Sequence, residues 1–237
     1  MDNPIPIMLH GGNGRMATAI RSATLTLPDV QLLAAYPSRW DGDRPRPPLP
    51  PGAILVDFTH ADALLAMLEA GAAAPFPILT GTSGLNDRHH ALLRRFAQSA
   101  PVLQVSNFCL GAMIAADLVA RISKVTAPFG TWDAAVTDLH NVNKVDRPSA
   151  TAEAWSHAWG GARGGDPVPI VSLRLGDGVS EHTLVAAGPG ERLEVAHRLL
   201  NRTAAVSGVL AGLRFLGTCQ PGLYTGADLL AFLMGPT

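Results

Sequence analysis

The densest group of polar and ionisable side chains in this sequence is DLHNVNKVDRPSATAEAWS, residues 138–156. It holds His140 four positions before Lys144, one of only two lysines in the chain. An imidazole and an ammonium group can each deliver a proton to a substrate. Alone, either residue is typical of an ordinary protein surface, but the cluster favours a site that binds an acidic substrate and protonates it.

A predicted helix begins within this segment, at residues 148–150. The hydroxyl of Ser149 and the backbone amides of the first helical turn can bind a carboxylate, because those amides have no partner within the helix. The catalytic candidates of the site are therefore His140 and Lys144. The candidate substrate-binding residues are Asn141, Lys144, Ser149, Ala150 and Thr151.

A glycine-rich segment, HGGNGRMATAI at residues 10–20, follows the first predicted strand and opens a predicted helix. Gly11 and Gly14 fit a dinucleotide-binding loop, and Ala17 is a permitted variant at its third position. The positive end of such a helix holds a pyrophosphate. A purely structural glycine turn is the alternative, and the position after a first strand favours cofactor binding. The candidate residues are Gly11, Gly12, Asn13, Gly14, Arg15 and Met16.

The end of the second predicted strand reads AAYPSRW, and it has no carboxylate before Asp41. An acid at this point binds the ribose 2'-hydroxyl of NAD. Ser38 and Arg39 can instead accept a 2'-phosphate, which favours NADPH, with NADH still possible. The alternative for Arg39 is a solvated loop charge.

Small polar residues end three further predicted strands, in VDFTH (56–60), LTGTSG (79–84) and VSNFC (105–109). Ligands of open α/β sheets lie outside the carboxyl ends of the strands. We expect Gly81, Thr82 and Ser83 beside the nicotinamide ribose, and Asn107 with Phe108 over its ring. Each group could also be a helix cap, but their repetition favours a shared site. The last strand end adds Val105 and Ser106 as candidates.

Short apolar runs alternate with helical patterns in the first half of the chain. The predicted strands are 5–9, 30–35, 54–58, 76–79 and 102–105, and the predicted helices are 15–25, 61–71 and 86–100. This alternation predicts a doubly wound parallel sheet. Five prolines within residues 41–52 make that run a surface loop.

The second half of the chain has a different pattern. A helix at 110–125 leads out of the first domain, and strands at 132–139, 170–175, 181–186 and 191–197 predict a mostly antiparallel α+β domain. Helices at 201–216 and 227–233 close the chain. The predicted fold class is therefore α/β: a Rossmann-like parallel-sheet nucleotide domain plus a smaller α+β substrate and oligomerisation domain.

Composition and charge narrow the partners. Hydrophobic residues make up 47% and charged residues 16% of the 237 residues, and the formal net charge is -1. A near-neutral globular chain gives no electrostatic reason to bind nucleic acid or a membrane surface. Without a predicted membrane span or signal peptide, a cytoplasmic location is expected. A small-molecule ligand is the favoured partner.

Metal and redox chemistry are not expected from the spacing. Cys109 and Cys219 lie 110 positions apart and are interpreted as buried thiols rather than a disulfide or redox pair. His89 and His90 lie on a predicted outer helix without acidic or cysteine partners, so no metal site is predicted. Solvated sheet faces account for the pairs Glu181 with His182, Glu191 with Arg192, and Glu194 with His197.

Taken in order, these motifs resemble the 4-hydroxy-tetrahydrodipicolinate reductase family of bacterial lysine biosynthesis, formerly called dihydrodipicolinate reductase. The resemblance spans almost the whole chain. Its motifs are GxxGRM (11–16), DFT (57–59), GTSG for GTTG (81–84), SNF for ANF (106–108), HNVNKVDRPSATA for HHxxKxDxPSGTA (140–152), GERLEVAHR (190–198) and GLYTGADLL (222–230).

The resemblance implies that the C-terminal tail completes the nucleotide domain, with residues 1–110 and 204–237 in that domain and 111–203 in the substrate and oligomerisation domain. It also implies a homotetramer. The implied reaction transfers a hydride from NADPH or NADH to an unsaturated cyclic imine dicarboxylate, with loss of water. His140 and Lys144 take the proton-donor positions, and Thr151 with the amides around Ala150 holds a substrate carboxylate.

The sequence departs from the family pattern at three positions, Ala17, Asn141 and Ala150. Asn141 can donate a hydrogen bond but cannot carry a positive charge. Ala150 adds a methyl group that is harmless only at negative φ. Two other functions remain open: a reductase of a different cyclic imine or enamine acid, and a non-catalytic nucleotide sensor or interaction protein, which would not need the pair of proton donors.

Overall fold

The computed structural model describes residues 4–38, 49–177, 180–201 and 203–235. The chain divides into two compact units, one of Met1–Phe108 with Ala205–Thr237 and one of Cys109–Ala204. Arg39 and most of the proline-rich run lie outside the described residues. Within the described part of the chain, no helix is both long enough and apolar enough to cross a membrane.

The first unit is built on a six-stranded parallel sheet. Its strands are β1 (Ile5–His10), β2 (Val30–Tyr36), β3 (Ile54–Asp57), β4 (Ile78–Thr80), β5 (Pro101–Gln104) and β10 (Gly222–Tyr224), in the spatial order β10-β5-β4-β3-β1-β2. Its helices are α1 (Arg15–Thr24), α2 (Ala61–Gly71), α3 (Asp87–Ala97), α6 (Ala204–Leu216) and α7 (Gly226–Met234). This arrangement confirms the predicted Rossmann-like sheet.

Alternating side chains of the strands are buried on the two faces of this sheet. Ile78 and Val102 pack in one core cluster with Phe96 of α3 and residues of α2. The neighbouring strand residues Leu79 and Leu103 point to the other face, where they approach Gly212 of α6. Helices therefore cover both faces, which explains why the strands read as continuous apolar runs.

The second unit has a four-stranded mixed sheet. Its elements are α4 (Leu110–Thr126), β6 (Asp133–His140), α5 (Ala150–Ala162), β7 (Ile170–Arg174), β8 (Ser180–Gly188) and β9 (Glu191–Leu199), and the strand order is β7-β6-β8-β9. β7 pairs with β6 in parallel, and the other pairs are antiparallel. Trp155 and Trp159 of α5 pack in one core with Val136 and Leu184 of the sheet.

Two local expectations need correction. No strand was predicted near residue 222. The structure has a strand there, β10, which is three residues long and pairs with β5 at the edge of the sheet. His89, which was expected on an outer helix, is buried, and its side chain forms a capping box with Asn86 at the start of α3. Both cysteines are free as expected, although only Cys109 is fully buried and Cys219 is partly exposed.

Candidate active site

The glycine loop joins β1 to α1 and is shaped by close backbone contacts. Gly11 has φ +80°, and a Cβ there would lie 2.6 Å from Cγ2 of Thr59. A Cβ on Gly12 would lie 2.5 Å from Cβ of Ala35. The amides of both glycines donate to the carbonyl of Tyr36 at 3.0 Å. A residue larger than glycine would therefore push this loop away from the sheet.

The start of α1 can receive an anion. Gly14 caps the helix without a side-chain hydrogen bond, and the first turn has no acidic residue. Among the described residues, no backbone acceptor is paired with the amides of Asn13, Arg15 and Met16. These amides and the positive end of the helix fit a pyrophosphate group. The amide of Gly14 itself donates to the carbonyl of Gly11 at 2.8 Å, so it closes the loop and is not free to bind an anion.

A cleft of about 500 Å³ opens beside this loop. Ser38, two residues after the end of β2, lies in its wall. Phe58, Thr59 and His60 also line the cleft, although none of them was predicted as a cofactor contact. Their position directly after β3, next to β1 in the sheet, was the signal available in the sequence.

Asp57 is the centre of a buried polar cluster below the cleft. Its Oδ1 lies 2.8 Å from Nδ1 of His10 and accepts a hydrogen bond of 2.6 Å from Thr59. Its Oδ2 accepts from the hydroxyls of Thr80 and Thr82 at 2.8 and 2.6 Å. The sheet register produces this cluster, because His10 pairs with Asp57 and Asp57 pairs with Thr80 at the carboxyl ends of three neighbouring strands.

This environment lowers the pKa of Asp57. Burial by itself raises the pKa of a carboxyl group, but the hydrogen bonds from His10, Thr59 and Thr82 and the charge of His10 outweigh that effect. Asp57 is fully buried, so the anion is held by these four partners rather than by water. The cluster fixes the chain segments that follow β1, β3 and β4.

Two predicted cofactor contacts, Thr82 and Phe108, have side chains that are engaged within the first unit. The hydroxyl of Thr82 donates to Asp57 and accepts from the amide of Thr59 at 3.1 Å, so it supports the site from within. Phe108 is 2% exposed and meets Phe58 edge-on at 5.5 Å. Its ring is packed inside the first unit and does not lie open as a cover for a nicotinamide ring.

The remaining predicted cofactor residues differ in how far they are exposed to solvent. Ser83 and Ser106 are exposed, Asn107 is half-buried, and Val105 is buried at the end of β5. A Cβ on Gly81 would lie 2.2 Å from the ring of Phe58, so glycine is required there for that ring to pack. Ser83, Ser106 and Asn107 are the members of this set that can face a ligand.

In the second unit, His140 ends β6 in a buried polar cluster. Its Nε2 lies 2.8 Å from Oδ1 of Asp138, and its Nδ1 lies 2.9 Å from the hydroxyl of Ser180. A third side chain, His182 of β8, comes within 3.3 Å of Nε2 of His140. All three ionisable groups of this cluster are buried.

Asp138 is held by four groups. Its Oδ2 accepts hydrogen bonds from the amide of Ser149 and the hydroxyl of Ser172, both at 3.0 Å, and lies 3.2 Å from the guanidinium of Arg174. Burial raises the pKa of Asp138, but the hydrogen bonds from Ser149 and Ser172 and the nearby His140 produce a net lowering. The carboxylate is therefore a fixed anion beside His140.

Both histidines of the cluster favour the neutral form. Burial is the main cause that lowers the pKa of His140, the positive charges of Lys144 and Arg174 lower it further, and Asp138 opposes them. Burial and the neighbouring His140 lower the pKa of His182 to about 4. A neutral imidazole carries one N–H donor and one acceptor nitrogen.

The position of His182 differs from the expectation. The pair Glu181 with His182 was expected on a solvated strand face, but His182 is 2% exposed and lies 3.0 Å from the hydroxyl of Ser149. In β8 the residues with the same parity as His182 include Leu184 and Ala186, which are buried too. This alternation was the available signal. His197, also expected on a solvated face, is half-buried and stacks on His182 at 6.4 Å.

Lys144 lies in the loop between β6 and α5. Its Nζ is 2.8 Å from both carboxylate oxygens of Asp146, and its side chain is 28% exposed. The side chain of Asn141 accepts a hydrogen bond from the amide of Asn143 at 3.0 Å, which shapes the same loop. The predicted cation therefore stands at the surface, four residues from the buried imidazole of His140.

The start of α5 is partly as predicted. Ser149 caps the helix, accepting a hydrogen bond from the amide of Ala152 at 3.3 Å. It is 2% exposed and engaged with His182, so the expectation that its hydroxyl binds a substrate carboxylate is not supported by its position. Ala150 is exposed and Thr151 half-buried at the open first turn. No non-glycine residue in the described ranges has a positive φ, so the methyl group of Ala150 causes no backbone strain.

A parallel sheet with a glycine loop at the amino end of its first helix, joined to a unit with a buried Asp-His pair and a nearby lysine, defines a pyridine-nucleotide-dependent oxidoreductase. Comparison with known families shows which kind of oxidoreductase it is. The family described as "Dihydrodipicolinate reductase, C-terminus" matches residues 111–230, and "Dihydrodipicolinate reductase, N-terminus" matches residues 50–108. The chain belongs to the dihydrodipicolinate reductase family, and it is an NAD(P)H-dependent oxidoreductase of that type.

Curated relatives agree over nearly the full length. The 4-hydroxy-tetrahydrodipicolinate reductase of Stenotrophomonas maltophilia (strain R551-3) is 34% identical, with 96% of this chain and 98% of the relative covered. The enzyme of the same name from Thermomicrobium roseum is 32% identical, with 94% and 98% covered. The recognised resemblance to this family is thereby confirmed.

Solved structures support the fold. The dipicolinate-bound dihydrodipicolinate reductase from Paenisporosarcina sp. TG-14 has a TM-score of 0.71 at 18% identity, covering 96% of this chain and all of that chain (100%). A probable dehydrogenase from Thermotoga maritima has a TM-score of 0.61 at 12% identity, with 94% of this chain and 92% of that chain covered. At these identities the likeness concerns the fold alone.

Proposed function

We propose that this chain reduces 4-hydroxy-tetrahydrodipicolinate to tetrahydrodipicolinate with NAD(P)H, in the diaminopimelate route of lysine biosynthesis. The reaction consumes one hydride and one proton and releases water and the oxidised nucleotide. Family membership across both units and curated relatives of this name support the proposal. The observation that carries it is the fixed pair of His140 and Asp138 close in sequence to the ammonium group of Lys144.

The first unit holds the cofactor in this proposal. The loop of Gly11 and Gly12 approaches the pyrophosphate, and the amides at the start of α1 bind it. Bound NAD(P)H supplies the hydride. Ser38, in the wall of the cleft, and Arg39, which lies outside the described residues, bind a ribose 2'-phosphate and give a preference for NADPH. Ser83, Ser106 and Asn107 orient the nicotinamide end.

The second unit supplies the proton. Hydride addition to a conjugated imine creates negative charge on the ring, and a positioned acid lowers that barrier. Lys144 presents an ammonium group, and His140 presents an imidazole whose Nδ1 lies 2.9 Å from the hydroxyl of Ser180 and whose Nε2 lies 2.8 Å from the carboxylate of Asp138. Asp138 is itself anchored by Arg174. The imidazole of His140 therefore lies against a buried carboxylate, whereas the ammonium group of Lys144 pairs with the exposed carboxylate of Asp146.

The dicarboxylate substrate is bound at the amino end of α5 in this proposal. The helix dipole attracts a carboxylate at its first turn, which includes Ala150 and Thr151. The side-chain amide of Asn141 can donate to the same anion. Because Ala150 begins the helix without strain, the departure from the family glycine is compatible with the family reaction. A reductase of another cyclic imine acid is thus the less favoured candidate.

A coupled assay tests the proposal. Freshly prepared lysine-pathway intermediate is added to the purified protein, and oxidation of NADPH and NADH is followed in parallel. Turnover that is inhibited by pyridine-2,6-dicarboxylate supports the proposal. Tight NADPH binding without turnover indicates that the substrate half serves another imine, and NADPH binding with no reductase activity toward any cyclic imine indicates a sensor.

A homotetramer and a cytoplasmic location complete the proposal. The homotetramer is carried over from the family resemblance, and the location is the expectation from the sequence, which predicts neither a membrane span nor a signal peptide. Light scattering of the purified protein tests the first, and fractionation of the producing cell tests the second. A monomer in light scattering at assay concentration would contradict the oligomeric part without affecting the reaction.

A further inference from the structure

Three ligand-type atoms converge in the second unit. The distances are 2.8 Å from Oδ1 of Asp138 to Nε2 of His140, 3.6 Å from the same oxygen to Nε2 of His182, and 3.3 Å between the two nitrogens. All three side chains are buried. The set has the composition of a two-histidine, one-carboxylate metal site.

Hydrogen bonding leaves one of these atoms unexplained. Oδ1 of Asp138 is buried and has no hydrogen-bond partner in the part of the chain that the structure describes. Nε2 of His140 lies 2.8 Å from it as an ion-pair contact. Buried carboxylate oxygens are normally paired. A buried carboxylate oxygen that has no hydrogen bond and lies beside two imidazole nitrogens is an arrangement that a bound cation can satisfy.

The spacing suits a tetrahedral divalent ion. Ligand atoms about 2.0 to 2.2 Å from zinc stand about 3.3 to 3.6 Å apart. The two distances that involve His182 have these values. The contact between Asp138 and His140 would have to open by roughly half an ångström to reach the same geometry. The hydroxyl of Ser149, 3.0 Å from Nε2 of His182, is the described group nearest to the fourth position.

The groups around the cluster hold it in place. Oδ2 of Asp138 takes the hydrogen bonds of Ser149 and Ser172 and pairs with Arg174, so the carboxylate is fixed and Oδ1 is left toward the histidines. The hydroxyl of Ser180 holds the other nitrogen of His140 at 2.9 Å. Contacts of this kind orient the ligands in metal sites.

Nearby charges limit the affinity. Arg174 pairs with Asp138, and Lys144 pairs with Asp146, so each carboxylate near the cluster already has a cationic partner. A divalent ion would meet little net negative charge. We therefore expect weaker binding than that of structural zinc sites.

We propose that Asp138, His140 and His182 form a Zn²⁺-binding site, and that zinc bound there inhibits the reductase reversibly. Zinc would occupy Nε2 of His140, and this nitrogen would then be unable to take part in proton delivery. The inhibition rests on the proposed function, whereas the binding itself does not.

Zinc binding is measured first without substrate or inhibitor, because a cyclic dicarboxylate with a ring nitrogen between its two carboxylates itself chelates zinc. The full-length protein is freed of metal with a chelator, and Zn²⁺ is titrated by calorimetry and by competition with a chromophoric chelator. We expect one ion per chain. Co²⁺ in its place is expected to give the visible absorption of a four-coordinate ion with nitrogen and oxygen ligands.

Variants identify the ligands. His182→Gln and Asp138→Asn are each expected to weaken zinc binding by about ten-fold or more. His157→Gln is the matched control, because His157 is exposed on α5 and its ring contacts only the carbonyl of Glu153 among the described residues. Unchanged zinc affinity in His182→Gln, or equal loss in the control, would overturn the site.

A measurement on the unaltered protein guards against variants that do not fold. X-ray absorption of the zinc-loaded chain should show two imidazole nitrogens and oxygen ligands, and any other ligand set would overturn the proposal. Zinc should then abolish turnover, and a chelator should restore it. Zinc that binds through these ligands and leaves turnover unchanged would refute the inhibition. Zinc binding by a chain without reductase activity would refute the proposed function and leave the site standing.

Discussion

Asp138 and His182 lie directly opposite one another on the antiparallel strands β6 and β8. Residues in such a cross-strand pair point to the same face of a sheet. His140, two residues after Asp138, points to that face as well, and all three side chains are buried. Alternation along β6 therefore places the predicted proton donor on the same face as Asp138, and the strand register brings the second histidine to them.

The first prediction concerns the proton donors. His140→Gln and Lys144→Ala should each lower kcat by about 10² to 10⁴, the usual contribution of a positioned acid, and leave the Kd for NADPH nearly unchanged. Steady-state kinetics and nucleotide titration measure the two effects. Lys124→Ala is the matched control for Lys144, since Lys124 is the other lysine and is exposed on α4. Turnover that survives in both variants would remove the assignment.

A second prediction concerns the Asp57 cluster. Asp57→Asn should lower the free energy of unfolding by about 1.5 to 3 kcal/mol, the range for hydrogen bonds to a charged group. Denaturant titration of the purified variant at pH 7 measures the loss. Asp62→Asn, at an exposed position in the first turn of α2, should have little effect. Equal losses in the two variants would show that the cluster adds no special stability.

The same carboxylate predicts a pH dependence. The pKa of Asp57 is lowered in the folded chain, so its contribution to stability is fully present above the unfolded pKa, which is about 3.9. That contribution is lost as the pH falls through the lower folded value. Denaturant titrations at decreasing pH should therefore show a steeper acid loss in the unaltered protein than in Asp57→Asn. Parallel curves would contradict the lowered pKa.

The third prediction separates backbone strain from ligand binding in the glycine loop. Gly11→Ala and Gly52→Ala both force a side chain into positive φ, at about 1 to 3 kcal/mol each. Only at Gly11 would the new Cβ also meet Thr59, since nothing lies within 4 Å of the Cβ position at Gly52. Gly11→Ala should thus weaken NADPH binding, measured by fluorescence titration, whereas Gly52→Ala should not. Similar affinities in both variants would place the nucleotide elsewhere.

The fourth prediction tests cofactor preference. Ser38→Asp introduces an acid into the wall of the cleft at the end of β2. A carboxylate there repels a 2'-phosphate and accepts hydrogen bonds from a 2'-hydroxyl. The ratio of kcat/KM for NADPH to that for NADH should fall, and Ser38→Ala serves as the control without the charge. An unchanged ratio in Ser38→Asp would show that the 2'-position is read by other residues.

Much of the fold could be predicted from the sequence because the signals are local. The alternation of apolar runs with helical patterns predicted the parallel sheet, and the Asn86 cap of α3 was recognisable from the residue type. β10 escaped prediction because its three residues form a strand only by pairing with β5, which lies more than a hundred positions earlier. So short a run carries no periodicity of its own.

The sequence by itself determined the fold class, the glycine loop and the cluster from His140 to Thr151, since each depends on residues close together in the chain. Only the tertiary structure decided which polar groups face inward. It directs the hydroxyl of Thr82 to Asp57, packs the ring of Phe108 in the core, and brings His182 to Asp138. These contacts join residues 25 or more positions apart, and strand order and register create them. A motif records spacing along the chain, whereas burial and pairing across a sheet depend on the whole fold.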